Sequence, residues 1–283
     1  MGETVEIFEV GPRDGLQNEK RPIATEDKVA LVDLLSEAGF CRIEVASFVS
    51  PRWVPQMADG GEILAAIHRR GGVRYAALTP NLKGFERAMH ARADEVAIFV
   101  SASEGFSRAN LNCSIADSFE RYRPVAEAAA ARGMPVRGYV SCVVDCPFDG
   151  RVEPGLVAEV AARLAATGRY EVSLGDTIGL GTPETVGPML SAVMECVPAE
   201  RLAGHFHDTG GRALDNVETS LERGIRVFDA AVGGLGGCPF APGAAGNVST
   251  EAVEARLRAM GFDTGLDPEV LRRAAAFAQA MCR

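Results

Sequence analysis

The segment LAGHFHDTGG, residues 202–211, places two of the chain's four histidines, His205 and His207, two positions apart and directly before an aspartate. Imidazoles at i and i+2 share a face on a β-strand, whose side chains alternate, and diverge on a helix. A strand-borne HxH pair is therefore a ready set of nitrogen donors. Asp14 in EVGPRDG and the amide oxygen of Asn247 in GNVSTE offer two oxygens. Such a mixed set, completed by water or substrate oxygens, suits an octahedral divalent ion such as Mg²⁺ or Mn²⁺. Zinc would favour more nitrogen or sulfur.

Each of these residues also has a plainer reading. The HxH pair could be core packing, and Asp14 could hold a turn. Asn247 could cap the helix that follows it. Asp176, in SLGDT, could cap the helix near TPETVGPML, and Cys238 could be a small buried residue. Arg13 and Glu44 could form a buried ion pair. The plain readings must then explain why polar groups gather where so many strand-like runs end. Glu9 lies near the end of the first run with Arg13, Asp14 and Gln17 after it, Glu44 lies in the second, Asp176 follows the sixth, and the histidines end the seventh.

The runs themselves are regular. Strand-like segments at 5–10, 42–48, 73–78, 95–102, 136–143, 170–175, 202–207 and 226–232 alternate with amphipathic stretches such as 25–40, 118–133 and 155–168, several of which stop at glycine. Eight βα repeats in 283 residues predict a single-domain (β/α)₈ TIM barrel, a fold of typically ~250 residues with its active site at the C-terminal ends of the strands. The expected domain spans 1–283, with a helical segment from about 265 to 283 packed on it. A doubly wound sheet shares the alternation, but the chain has neither a GxGxxG fingerprint nor a P-loop.

Composition narrows the class further. With 38 carboxylates against 29 Lys and Arg, a nucleic-acid surface is not expected, and an anionic substrate would need a local basic pocket. Seven cysteines without a CxxC pair suggest neither a disulfide framework nor a zinc ribbon, and fit a reducing cytoplasm. The acidic N-terminus does not read as a secretory signal, and no apolar run approaches the roughly 18 residues of a membrane span.

The motifs EVGPRDGLQNEK, IEVASFVSPRWVPQMAD, NLNCSIADSF, SCVVDCPFDG, SLGDTIGLGTP, GHFHDT and GGLGGCPFAPGAAGNVSTE resemble those of the hydroxymethylglutaryl-CoA lyase family. That family belongs to the DRE-TIM metallolyase superfamily, whose name-giving residues correspond here to Arg13, Asp14 and Glu44. The likeness runs from about residue 5 to the final helix. It implies cleavage of 3-hydroxy-3-methylglutaryl-CoA to acetyl-CoA and acetoacetate, the last step of leucine degradation. It also implies an acyl-CoA substrate and a homodimer.

Carried over by motif, the resemblance makes Asp14, His205, His207 and Asn247 metal ligands and Cys238 a catalytic cysteine on a mobile loop. Arg13 would contact substrate and stabilise charge, with Gln17 and Ser47 beside it, and Glu44 would complete the catalytic group. Glu9 and Asp176 would orient Arg13 and the histidines as supporting carboxylates. The residue types suit a retro-Claisen cleavage. Asp14 or His205 can take the hydroxyl proton, Arg13 can stabilise the thioester enolate, and Cys238 can return a proton to it. Gly210 and Phe240 stand where tyrosines are expected, which raises the possibility of a roomier acyl pocket and a longer 3-alkyl substrate. A cysteine hydrolase built on Cys238 would leave the RDG and HxH spacings unexplained. A catalytically dead binding barrel would have lost ligands that are all present. A synthase or aldolase of the same superfamily is disfavoured by the GGLGGCP loop.

Overall fold

The computed structural model describes residues 2–168, 171–237 and 246–282. Eight parallel strands close a barrel in sequential order: β1 (Glu6–Glu9), β2 (Arg42–Ser47), β3 (Arg74–Leu78), β4 (Glu95–Ser101), β5 (Val136–Ser141), β6 (Glu171–Asp176), β7 (Leu202–Phe206) and β8 (Val227–Ala230). Each predicted strand is present, its ends trimmed by a residue or two, except that β6 runs one residue further, to Asp176. The strands are buried along almost their whole length, as parallel strands sheathed in helices must be.

The helices following the strands are α1 (Thr25–Ala38), α2 (Gly60–Ala66), α3 (Leu82–His90), α4 (Ile115–Ala130), α5 (Pro154–Ala166), α6 (Pro183–Met194), α7 (Ala213–Leu221) and α8 (Thr250–Ala259). A further helix, α9 (Pro268–Met281), lies against α1. Local chemistry sets the boundaries. Helix α1 stops at Gly39, whose φ of 101° only glycine adopts cheaply. Helix α4 starts at 115 rather than at the expected 118, because Ser114 and Asp117 form a reciprocal capping box there.

Charged side chains occupy the N-terminal end of the barrel, where aliphatic layers are usual. Arg42 bonds Glu6 and Glu171, and Arg137 lies 2.9 Å from Glu171 and 2.7 Å from Asp229. Both guanidinium groups stack on the Phe8 ring, at 4.8 and 4.2 Å. This ion chain rises from the barrel floor to the base of the site.

Candidate active site

The C-terminal rim is assembled from β1, β2, β5, β7, β8 and the segment that returns after β8. Directly after β1 the chain enters a π-helical turn, Gly11–Gly15. Such turns are uncommon and recur at functional sites. This one carries Arg13 and Asp14. Its first residue must be glycine: a Cβ there would lie 2.6 Å from Glu9 Oε1, which instead accepts the Gly11 N–H at 2.7 Å.

Arg13 is buried between two carboxylates. Its Nε donates to Glu44 Oε2 at 2.6 Å and its Nη1 to Asp14 Oδ1 at 2.6 Å. Burial opposes its charge, but Glu44 and Asp14 outweigh that cost and hold the guanidinium protonated. Tyr139 on β5 donates to the same Glu44 oxygen at 3.1 Å. The plain ion-pair reading and the functional one therefore coexist.

His205 and His207 share the inner face of the β7 end, with ring centroids 5.3 Å apart. Asp14 joins them: the three side chains offer ligand atoms all within 4.8 Å of one another. Burial would raise the Asp14 carboxyl, but Arg13 and the two imidazoles hold it well below the usual carboxylate range. Burial, reinforced by His205, pushes His207 down to about 4, which leaves a neutral imidazole with a lone pair to give. Burial also works against charge on His205, yet Asp229 and Asp14 outweigh it and raise this residue.

Asn247 arrives because residues 246–248 pair back onto the end of β7. Val248 N–H donates to Phe206 O at 3.0 Å, and His207 and Asn247 form a bridge. The Asn247 amide donates to Asp14 Oδ2 at 2.9 Å, and Ser249, not Asn247, caps α8. Asn247 Oδ1 and His207 Nδ1 are buried without a partner among the described residues. Buried polar atoms left unsatisfied are costly, and a cation held between Asp14, His205, His207 and Asn247 fits them. Two imidazoles, a carboxylate and an amide oxygen are the donor chemistry expected from the sequence.

Other expectations need correction. Glu9 does not touch Arg13 or a histidine. Its oxygens accept the Gly11 and Val232 N–H groups and the Thr250 hydroxyl, so it ties the β1 turn to the end of β8. Among the described residues Asp176 likewise bonds neither; it accepts the Gly181 N–H at 2.8 Å and shapes its own loop, and Thr182 rather than Asp176 caps α6. Ser47 is buried at the end of β2, within 3.4 Å of the Val49 N–H, and lies off the cavity wall that Val49 and Ser50 help to form. Gly210 is exposed in the turn after β7, donating to Gly179 O, and does not border the cavity. Gln17 is on that wall and donates to Asp14 Oδ1 at 2.9 Å. Cys238 and Phe240 lie outside the described residues.

Sequence reading missed Asp229, Arg137 and Tyr139. Asp229 Oδ2 sits 3.0 Å from His205 Nδ1 and is braced by Ser173 Oγ at 2.8 Å. Asp229 and Arg137 were legible as charged residues inside the apolar runs RVFDAAV and VRGYVSCV, whereas Tyr139 carried no such signal.

A cavity of about 960 Å³ opens above these groups. Arg13, Arg108 and Arg121 border it, and Asp14 is the one carboxylate among the described residues that does. Val49, Val54, Leu78, Phe99 and Leu111 add an apolar wall.

Closed barrel, rim cluster and basic cavity together define a (β/α)₈-barrel enzyme with its site on the C-terminal face. The model of the HMGL-like family matches residues 4–278, and the chain belongs to that family. It is 58% identical over 267 residues, 94% of this chain and 89% of the relative, to the 3-hydroxy-3-isohexenylglutaryl-CoA/hydroxy-methylglutaryl-CoA lyase of Pseudomonas aeruginosa. The HMG-CoA lyase structure from Brucella melitensis superposes with a TM-score of 0.97 at 62% identity, covering 98% of each chain. An HMG-CoA lyase from Acinetobacter baumannii, solved with coenzyme A and 3-methylmalate, gives a TM-score of 0.94 at 38% identity, over 99% of this chain and 91% of that one.

Proposed function

We propose that this chain is a carbon–carbon lyase that cleaves 3-hydroxy-3-methylglutaryl-CoA into acetyl-CoA and acetoacetate, the retro-Claisen step of leucine degradation. The observation that carries the reading is the convergence of Arg13, Asp14, His205 and His207 on one wall of a basic cavity. Arginines on that wall suit a polyanionic acyl-CoA thioester.

Asp14, His205, His207 and Asn247 would hold a divalent ion, Mg²⁺ or Mn²⁺, which would supply Lewis-acid polarisation to orient the substrate and acidify its tertiary hydroxyl. Asp14 takes the hydroxyl proton as the C2–C3 bond breaks. The bonding pair passes to the thioester as an enolate, and the charged, buried Arg13 stabilises it. Glu44 and Tyr139 keep the guanidinium aimed. Cys238 delivers a proton to the enolate carbon, completing acetyl-CoA.

The apolar wall supports a second substrate range, 3-hydroxy-3-alkylglutaryl-CoA thioesters with longer chains, in line with the name of the Pseudomonas relative. We read residues 1–283 as one catalytic domain that works as a homodimer in the cytoplasm. Among the described residues, no helix is long and apolar enough to cross a membrane.

The test is turnover of a panel of 3-hydroxy-3-alkylglutaryl-CoA thioesters with Mg²⁺ in deuterated water. A lyase releases acetoacetate or its homologue and places solvent deuterium in the acetyl-CoA methyl group. Free 3-hydroxy-3-methylglutarate, with an acyl group trapped on Cys238, would overturn the reading in favour of a cysteine hydrolase.

A further inference from the structure

We infer that Asp229 is a positioning residue for His205: anchored by Arg137 and Ser173, it fixes the imidazole as the Nδ1–H tautomer and so reserves Nε2 as the donor atom facing Asp14. The inference rests on the metal-centre reading above. Asp229 and His205 are register partners on β8 and β7, both on the inner face of the barrel. The Asp229 side chain is fully enclosed. One of its oxygens lies 2.7 Å from Arg137 Nη1; the other accepts Ser173 Oγ at 2.8 Å and faces His205 Nδ1 at 3.0 Å. A carboxylate in an ion pair can only accept, so the Nδ1 that faces it must carry the proton. In the neutral imidazole that a cation requires, Nε2 is then the unprotonated nitrogen, 3.9 Å from Asp14 Oδ2.

Arg137 is itself held from the barrel floor. It lies 2.9 Å from Glu171 and stacks on Phe8, and Arg42 bonds the same glutamate. The ion chain at the N-terminal end thus has a use at the opposite end: it prevents Asp229 from turning away from the imidazole. Carboxylate partners of this kind set the tautomer, ring orientation and basicity of a ligating histidine.

Asp229→Asn tests this with little change of volume. The guanidinium would draw the introduced amide oxygen toward itself and leave the amide NH₂ facing His205 Nδ1. The imidazole must then accept at Nδ1 and carry its proton on Nε2, the wrong tautomer for a ligand. Two readouts on the full-length protein are independent of turnover. Long-range ¹H–¹⁵N spectra of the metal-free wild-type protein, in which only four histidines need assignment, recorded at a pH where the His205 ring is neutral, should show its single proton at Nδ1. Calorimetric titration with Mn²⁺ alone should show Asp229→Asn binding about 10–100-fold more weakly than wild type, the usual cost of losing such a partner. A neutral wild-type His205 whose single proton sits on Nε2 overturns the inference, even if the variant does not fold. Equal Mn²⁺ affinity in a folded variant overturns it while leaving the metal centre standing. Wild-type protein that binds no Mn²⁺ removes the metal centre and the positioning role together.

Discussion

Glu44 holds Arg13 from the neighbouring strand: the Arg13 Nε donates to Glu44 Oε2 at 2.6 Å, and both side chains are almost completely buried. Two charges removed from water survive only together, because a lone one forfeits its solvation without a partner in return. Arg13 is thereby presented to the cavity already desolvated and already aimed.

Glu44→Ala should therefore destabilise the fold by about 3–5 kcal/mol, the range for breaking a buried pair from one side. Urea denaturation measures it. Loss of less than about 1 kcal/mol, the value of an exposed pair, would show that water reaches the guanidinium.

Arg13→Gln should lower kcat roughly 10²-fold or more with little change in KM, as removal of an oxyanion-stabilising donor does. Steady-state kinetics on the methyl substrate separate the possibilities. A normal kcat with raised KM would make Arg13 a binding residue only.

Chelator-treated protein should lose turnover and regain it with Mg²⁺ or Mn²⁺. His207→Ala and Asn247→Ala should each weaken Mn²⁺ binding, because each removes a donor atom now buried without a partner. Full activity in metal-free protein would dismiss the ligand set.

Glu9 gives the fold a pH dependence. Burial pushes its carboxyl from 4.5 up to about 7, against the hydrogen bonds from Thr250, Val232 and Gly11. The folded chain thus holds this proton more tightly than the unfolded one. Its contribution to stability is complete below pH 4.5 and is lost as pH rises through about 7. Glu9→Gln keeps an amide oxygen for the two N–H groups and an NH₂ for the Thr250 hydroxyl. Its Tm should fall less than that of wild type between pH 4.5 and 7; identical Tm profiles would refute the assignment.

Substrate range should follow the apolar wall rather than the turn after β7. Gly210→Tyr, on an exposed loop, should leave relative kcat/KM values across a 3-alkyl series unchanged. Leu78→Ala, beside Tyr139 on the cavity wall, should favour longer chains by about 1–3 kcal/mol for each methylene the enlarged pocket takes in. The reverse pattern would return specificity to position 210.

What the sequence determined by itself is everything that depends on short-range periodicity. Strand alternation put His205 and His207 on one face, and the βα rhythm required eight strands whose polar ends meet at one rim. Residue types offered Asp14 and Asn247 as oxygen donors and set Arg13 and Glu44 at the same rim, and motif resemblance gave them their roles. Partnership between distant side chains could not be read that way. Asp229 is 24 residues from His205, and Asp14 is 233 from Asn247. Whether they touch depends on the register between strands and on the closing of β1 against β8. Glu9 and Asp176 sit at strand ends like the others, yet backbone N–H groups lay nearer to them than Arg13 or the histidines did. Only the closed barrel decided which buried charges met and which were satisfied by the main chain.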